Sequence, residues 1–514
     1  MKARFKLIAT LLAVATMGLT SCGSSDDSGD IPYVPPEDTG YAEIDVPDYI
    51  HPRVSLSTTF GQKIQAKVQS LYSQFKQMVY NIEGVTLDIS DPTEAITKYG
   101  NYNDTLNVVG PEIAGGNNSS MIIAYPDSVA QLMKQYPNSV INLQDYLSHE
   151  VYGLGSDPYL GDKIKGEKDF ISSYLEEGRQ FSTEGTYVLP YLKSSEILLY
   201  NLDALKTIMP GYNPEIKEGQ IEDYMKNISF DELMEIAAYA YQHRFELYLS
   251  DLEYPVFYDS DANMIISQLD QLGLDFATKK NGQIVLGMDY SDPNAAANAA
   301  QVEALVGKYV NWHNQHLLTT KGSQNTYASD WFKDQKVLFS IGSSGGAGYS
   351  FPDEGTFDYR VTVVPYAGEA SNAKYISQGP SIAFLYNKSR TAEENMYDLI
   401  YSWKFYKWIS NTDNNIITAV NFSEGYVPVK KSCYNTGAWQ EFLKVDDMYA
   451  KTAMVLKTDI GDRFVTSLVF AGSGKYREEA GALVATALLG NSGKTITELM
   501  ATAVQNTKTA MGQQ

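Results

Sequence analysis

The chain is 514 residues long with a formal net charge of −22 and a sequence pI of about 4.7. A polyanion of this size argues against a nucleic-acid binder, because affinity there comes from neutralising phosphates with Lys and Arg. Cys22 and Cys433 are the only cysteines, which excludes a disulfide-built scaffold and leaves packing to hold the core. Tyrosine outnumbers phenylalanine, 38 to 19. A ring face with a hydroxyl suits carbohydrate and other polyol ligands, although a compositional bias of the source would give the same count.

At the N-terminus Lys2, Arg4 and Lys6 lead into the apolar stretch Leu7 to Leu19, followed by small residues. That order reads as a secretory signal over residues 1–21, too short to stay in a bilayer as a spanning helix of roughly 20 residues. Leu19-Thr20-Ser21-Cys22 resembles the bacterial lipobox, whose cysteine is lipidated and becomes the first mature residue. The expectation is an exported protein anchored by lipid at Cys22 to the cell membrane, facing outside the cytoplasm. Residues 22–50 follow, rich in Ser, Asp, Gly and Pro and poor in large aliphatics. They read as a flexible tether with a root-mean-square reach of ~28 Å. Folded structure is expected from about Pro52 to the end, long enough for two lobes because single cores stop growing near 250–300 residues.

From there strands and helices alternate. Val54 to Thr58 is β-like, and Ile64, Val68, Leu71, Phe75 and Val79 then recur at helical spacing. Val85 to Ile89 alternates like a strand. "MIIAYPDSVAQLMKQY" reads as a strand, a Pro-Asp turn and a helix that Asp127 caps. Alternation of this kind predicts an α/β protein with largely parallel sheets. "TYVLPYLKSSEILLYN", residues 186–201, breaks the pattern, with Lys193, Ser194, Ser195 and Glu196 interrupting an otherwise apolar strand. A buried strand needs a partner for every polar group it carries.

Four local motifs point toward chemistry and fail. "GSSGG" at 342–346 follows the apolar run 337–341, as a nucleophile elbow would. However, all five histidines (His51, His149, His243, His313 and His316) precede Ser344, whereas a hydrolase of that kind needs one after it. "GNSGKT" at 490–495 lacks the first glycine of a P-loop and reads instead as a helix break at Gly493 and a cap at Thr495. "DSDAN" at 259–263 opens like a calcium loop, but Met264 stands where glycine is required, so a capped helix over 262–272 is the better reading. His313 and His316 share a helix face without a third metal ligand in view. No catalytic constellation, cofactor or metal site is read.

In order, the pieces "VSLSTTF", "PEIAGGNNSSMIIAYPDSVAQL", "TYVLPYLKSSEILLYN", "WFKDQKVLFSIGSSGGAGY", "YRVTVVPYAG" with "SQGPSIAFLYNKS", and "SWKFYKWISN" before "EGYVPVKKS" resemble the bacterial extracellular solute-binding proteins of ABC importers. The class includes sugar and glycerol-3-phosphate binders. The resemblance implies a two-lobed periplasmic-binding-protein-like fold with interleaved lobes joined by a hinge of three crossings, near residues 193, 379 and 428. Residues 51–192 and 379–428 would form the N-terminal lobe, and residues 193–378 and 429–514 the C-terminal one. Lys193 to Glu196 would then be polar because they face solvent or ligand at the cleft floor, and Gly379-Pro380 would allow an unusual backbone path. The chain is long for the class, with an extra segment at about 145–180.

The same resemblance implies where the ligand sits. Thr59 and Phe60 would follow the first strand and Asp127 the third; Ser194 and Ser195 would lie on the first crossing, Gly379 on the second and Tyr426 on the third. Ser343, Ser344 and Gly345 stand where sugar binders often carry an aromatic residue, and such a Ser/Gly turn can form an anion-binding nest, with Lys193 adding charge. Trp331 and Tyr349 flank that turn and offer rings for stacking. A neutral sugar or oligosaccharide is favoured over a phosphorylated polyol. The partners implied are that small ligand, the permease subunits of an ABC importer and the membrane; an exported glycan- or ester-acting hydrolase and a transporter-independent sensing lipoprotein remain as alternatives.

Overall fold

A computed structural model describes residues 45–100, 104–147, 154, 160, 167–379, 381–445, 447–465 and 467–512. The signal segment, Cys22, most of the tether, Pro380 and much of 148–166 lie outside the described residues. Ile50 is already buried, and the Asp45 carbonyl accepts from the Tyr397 hydroxyl. Packing therefore starts inside the stretch assigned to the tether.

Two five-stranded sheets organise the rest. In the first, Leu56–Thr58 pairs in parallel with Ile96–Lys98 on one side and Met121–Ala124 on the other; Ser381–Phe384 and then Leu189–Pro190 continue the sheet antiparallel. In the second, Val256–Tyr258 runs parallel to Leu318–Thr320 and Phe339–Ser343, and Glu196–Asn201 lies antiparallel between Phe339–Ser343 and Tyr359–Thr362. Both sheets are thus mixed rather than largely parallel. The reason is the direction of entry. Leu56–Thr58, Met121–Ala124 and Phe339–Ser343 end at the cleft, whereas Ser381–Phe384 and Glu196–Asn201 start there, having arrived from the other sheet.

Helix Gln62–Glu83 forms as its spacing predicts, burying Ile64, Val68, Leu71, Phe75 and Val79 and ending on Gly84 at φ 72°, a left-handed conformation that glycine adopts without penalty. The alternating residues 85–89 that follow do not form a strand. Val85 and Leu87 are buried, as a half-buried strand requires. Their segment instead has its backbone satisfied piecemeal, with Asp88 N–H on the Pro52 carbonyl, Tyr72 Oη donating to the Ile89 carbonyl and Lys76 to that of Ser90. The ladder position beside Leu56–Thr58 goes to Ile96–Lys98. Pro126 opens helix Pro126–Gln135 with Tyr125 as the N-cap, so Asp127 is not the cap. Proline at the first helical position needs no N–H partner, and the helix starts two residues earlier than an aspartate cap at 127 would set it.

Helix Ala392–Ile409 is capped by Thr391 and Glu394 acting reciprocally, and it packs on Gln62–Glu83. Trp403 is fully buried there, and Trp408 Nε1 donates to the Leu71 carbonyl at 3.0 Å. At the C-terminal end, helix Ser473–Leu489 stops at Gly490, φ 62°, and Thr495 caps Ile496–Ala510. The "GNSGKT" segment is a helix-to-helix joint, with Gly490 rather than Gly493 making the break. A Cβ on Gly481 would stand 3.3 Å from that of Ala262, so the first of these helices lies closely against Asp261–Gln271 beside the second sheet.

Lys404 and Glu83 form an ion pair, 2.8 Å from Nζ to each carboxylate oxygen, with side chains only 1% and 3% exposed. Removing one partner of a buried pair leaves an uncompensated charge, at a cost of about 3–5 kcal/mol, whereas replacing both with apolar groups is often near neutral. Lys404→Ala should therefore lower the stability measured by urea unfolding by about 3 kcal/mol, and the double variant Glu83→Leu/Lys404→Met should recover most of it.

Candidate functional site

Three chain segments meet edge to edge between the sheets. Leu192–Lys193 pairs antiparallel with Val427–Pro428, and Ser194 exchanges two 2.9 Å backbone hydrogen bonds with Gln378. The three crossings expected near 193, 379 and 428 thus lie side by side. Lys193, Ser194, Ser195 and Glu196 are all buried, at 0%, 2%, 0% and 3% exposure, which corrects the reading that Lys193, Ser194 and Ser195 face solvent or ligand; Glu196 borders a cavity beside the joint. Their polarity answers the needs of a buried joint. Lys193 Nζ is ion-paired with Glu177 and donates to the Gly379 carbonyl at 2.9 Å and to Ser381 Oγ at 3.2 Å. Ser195 donates its hydroxyl to the Ile376 carbonyl at 2.8 Å, and its own carbonyl accepts from Ser344 N–H at 2.8 Å.

Ser344 is equally committed. It is fully buried, and its hydroxyl donates to the Gly425 carbonyl at 2.8 Å while accepting from Ser195 N–H at 3.3 Å. A nucleophile or an anion-binding nest needs these groups free, and they fasten the 344–350 turn to two of the crossings. Gly425 holds φ 107°, and a Cβ there would stand 1.8 Å from the Ser344 carbonyl oxygen; Gly379 holds φ 89°, with a Cβ 2.7 Å from the Leu192 oxygen. Both positions require glycine.

Two cavities open beside this joint. The first, about 530 Å³, sits at the end of the second sheet and is lined by Glu196, Asp259, Ser260, Ser343, Gly346 and Ala347, with Tyr327 and Tyr349 among its walls. Those tyrosines are 55% and 78% exposed, so ring faces are available above a mainly apolar floor. The second, about 580 Å³, is polar and holds Tyr125, Asp127, Glu177, Lys321, Ser377 and Arg477. Asp259, Ser260 and Gln378 line both, so the two are chambers of one cleft. Each alone lies within the usual size range of a small-molecule site.

The carboxylates are tuned by burial. Desolvation pushes Glu196 up to about 7, against the opposing hydrogen bonds from Tyr258 Oη at 2.6 Å and Asn263 Nδ2 at 2.7 Å. Asp259 rises to about 6 for the same reason, opposed by the Ala328 N–H at 2.8 Å. Acidic oxygens beside ring faces are acceptors for hydroxyl groups. Thr58 Oγ1, Thr59 Oγ1, Ser377 Oγ and Gln378 Oε1 are buried atoms that find no hydrogen-bond partner; Ser377 and Gln378 line the cleft, and Thr58 and Thr59 line neither chamber.

The residues expected at the site divide accordingly. Ser343 lines the first chamber and Asp127 the second, where it also accepts from Ser473 Oγ. Phe60 is 2% exposed and packs on Tyr191 with ring centroids 5.9 Å apart, so it is core and not a ligand platform. Ser194, Ser195, Ser344 and Gly379 belong to the joint. Gly345 lies against the Tyr426 ring, and Tyr426 lines a smaller pocket of about 160 Å³ with Lys63, Glu424 and Tyr449. Trp331 packs on Tyr254 and Phe257 instead of flanking the cleft. Glu196, expected at the cleft floor, lines the first chamber, whereas Tyr327, Lys321, Gln378 and Arg477 went unrecognised and Asp259 and Asn263 had drawn notice only as a false calcium loop. The extra segment near 145–180 supplies Ser173, Glu177 and Gln180 to the second chamber.

Ser260 caps helix Asp261–Gln271, as the capped-helix reading of 259–263 expected. Among the described residues no cluster of His, Cys, Asp and Glu is arranged to hold a metal. His313 Nδ1 lies 2.9 Å from the Leu318 carbonyl, and its ring stacks on Tyr254.

Residues 91–446, more than half of the chain, match the family model described as bacterial extracellular solute-binding protein. This chain belongs to that family. Its members bind solutes outside the cytoplasm, and solute capture is the function of this chain. Among solved structures, the GacH receptor of Streptomyces glaucescens GLA.O, solved unliganded and with acarbose, aligns at TM-score 0.58 and 15% identity over 90% of this chain and 99% of its own. The cyclic alpha-maltosyl-1,6-maltose binding protein from Arthrobacter globiformis aligns at 0.60 and 13%, over 90% and 99%. UgpB from Mycobacterium tuberculosis, in complex with glycerophosphocholine, aligns at 0.58 and 15%, over 90% and 98%. These likenesses establish the two-lobed fold. No curated protein matches the sequence.

The Glu196 shift has a signed consequence. An unfolded glutamate loses its proton near 4.5, while the folded one keeps it to about 7. Stability is greatest below that window, falls as pH rises from about 4.5 to about 7, and is level above. Chemical denaturation across this range should show Glu196→Gln gaining on the native protein as pH rises, by up to about 3 kcal/mol. A constant difference between the two would contradict the burial of an ionisable carboxylate at this position.

Proposed function

We propose that this member captures a sugar or short oligosaccharide between its lobes and delivers it to the permease of an ABC importer. The single observation that carries the ligand class is the first chamber. Two exposed tyrosine rings, Tyr327 and Tyr349, stand over Asp259, Ser260 and Ser343, giving apolar faces for the C–H side of a sugar ring and acceptors for its hydroxyls. The solved relatives include an acarbose receptor and a cyclic maltosyl-maltose binder, which supports the same reading. A phosphate at the Ser343–Gly346 turn is disfavoured, because Ser344 N–H and Oγ are engaged elsewhere and the carboxyl groups of Glu196 and Asp259 line the same chamber.

The lobes proposed are residues 51–192 with 379–428 and residues 193–378 with 429–514. Sheet membership on either side of the joint supports this, as does the seat of helix Ser473–Leu489 against Asp261–Gln271. A ligand touching both chambers favours closure only by the amount it binds the closed form better. Calorimetric titration with maltotriose, cellotriose and galactotriose should give binding for at least one. Tyr349→Ala should weaken it roughly tenfold or more, about 1.4 kcal/mol or above. Full affinity in that variant would remove the stacking assignment.

We further propose that the chain is exported and acylated at Cys22, on the strength of the basic, apolar and Leu-x-Ser-Cys order at its start. Cys22→Ala should shift the protein from the membrane to the soluble fraction, or leave the signal uncleaved, when expressed in a bacterial host. Unchanged membrane association with normal processing would refute lipidation.

A further inference from the structure

Arg477 is held by a built relay yet carries no counter-ion. Tyr258 Oη and Asn263 Nδ2 donate to the two oxygens of Glu196, and Arg477 Nη2 donates to Asn263 Oδ1. The Asn263 amide is thereby fixed at both ends, and both Asn263 and Glu196 are 97% buried, at 3% exposure each. Two interior polar residues thus aim one guanidinium into the second chamber.

Three other arginines are ion-paired, while Arg244 and Arg463 lie against rings and backbone carbonyls. Arg179 meets Glu167 and Glu176, Arg360 meets Glu222 and Asp358, and Arg390 meets Asp398. Arg477 forms no ion pair among the described residues, although the chamber contains three carboxylates. Each of those is engaged otherwise: Glu177 by Lys193 and Ser381, Asp127 by Ser473, and Asp259 by the Ala328 N–H. Lys321, the other cation there, has its ammonium 3.8 Å from the centroid of the Tyr327 ring. A planar fork of N–H donors fits a carboxylate or phosphate through two parallel bonds. The surrounding charges cancel approximately, Arg477 and Lys321 against Asp127 and Asp259, so attraction here depends on the fork's geometry rather than on net field.

We propose that Arg477 reads an anionic group on the ligand, a carboxylate or a phosphate ester, so that the solute is an acidic oligosaccharide with one ring on the tyrosines and its acidic unit in the second chamber. This rests on the sugar reading of the first chamber. Asn263 and Glu196 act as positioning residues for the guanidinium.

Calorimetry on the full mature chain with matched pairs separates the cases: trigalacturonic acid against its methyl ester, and maltotriose phosphate against maltotriose. At least one acidic member should bind tenfold or more tighter than its neutral partner, and which pair does so tells carboxylate from phosphate ester. Arg477→Gln should bring that ratio close to one, Arg477→Lys should leave an intermediate ratio, and Asn263→Ala should lower it while melting temperatures show each variant folded. Equal affinities within both pairs, with neutral sugars binding, overturn the anionic assignment and leave the sugar reading standing. A ratio unchanged in Arg477→Gln also overturns it, because the arginine would then serve only to offset Glu196. Absence of heat from all four sugars overturns the anionic assignment, and absence of heat from cellotriose and galactotriose as well overturns the sugar reading.

Discussion

Lys193 is a fully buried lysine at the junction of two sheets, and the arrangement of the cleft depends on how it is satisfied. An unpaired ammonium in that position would be strongly destabilising. Glu177 supplies the opposite charge, and the Gly379 carbonyl and Ser381 hydroxyl take the remaining donors. These partners come from two separate stretches of chain, 172–179 and 379–381. One ion pair therefore fastens the first crossing to the second and to the 172–179 segment, and the Leu192–Lys193 pairing with Val427–Pro428 adds the third.

Once the crossings are fixed, the two chambers follow from strand direction. Strands that end at the joint deliver Tyr125, Asp259 and Ser343 into the cleft, and strands that begin there carry Glu196 and Ser381. The 344–350 turn is pulled inward by the Ser344 bonds to Ser195 and Gly425, which leaves Tyr349 projecting over the first chamber. Glu177 faces the second chamber while holding Lys193, so a ligand that engages this carboxylate also touches the joint. That contact gives ligand binding a direct mechanical route to lobe movement.

Much of the fold was legible because hydrophobic period and family order agree from Leu56 onward. Helix Gln62–Glu83 follows from apolar spacing, and the three crossings from the family resemblance, the first of them marked by the polar interruption at 193–196. The strand expected at 85–89 was wrong because alternation reports only which side chains are buried; whether a neighbour offers a backbone ladder is set by tertiary structure. The purpose of the polar interruption was also misread, since sequence cannot tell a solvated polar residue from one satisfied by Glu177 or Ile376, which are distant in the chain. The site was less legible still. Loop positions after strands drew attention to Ser343 and Asp127, which line the two chambers, but Tyr327, Gln378 and Arg477 carry no local motif. They reach the cleft only because helix and loop packing brings remote segments together.

The joint at residues 192–195, 378–379 and 427–428 is proposed as the hinge on which the two lobes close around a sugar. Small-angle X-ray scattering with and without the sugar that gives heat in calorimetry tests this most directly. The account predicts a smaller radius of gyration at saturation, with the scattering curve of the free protein recovered when the sugar is removed by dialysis. Saturated binding with an unchanged scattering curve would contradict it.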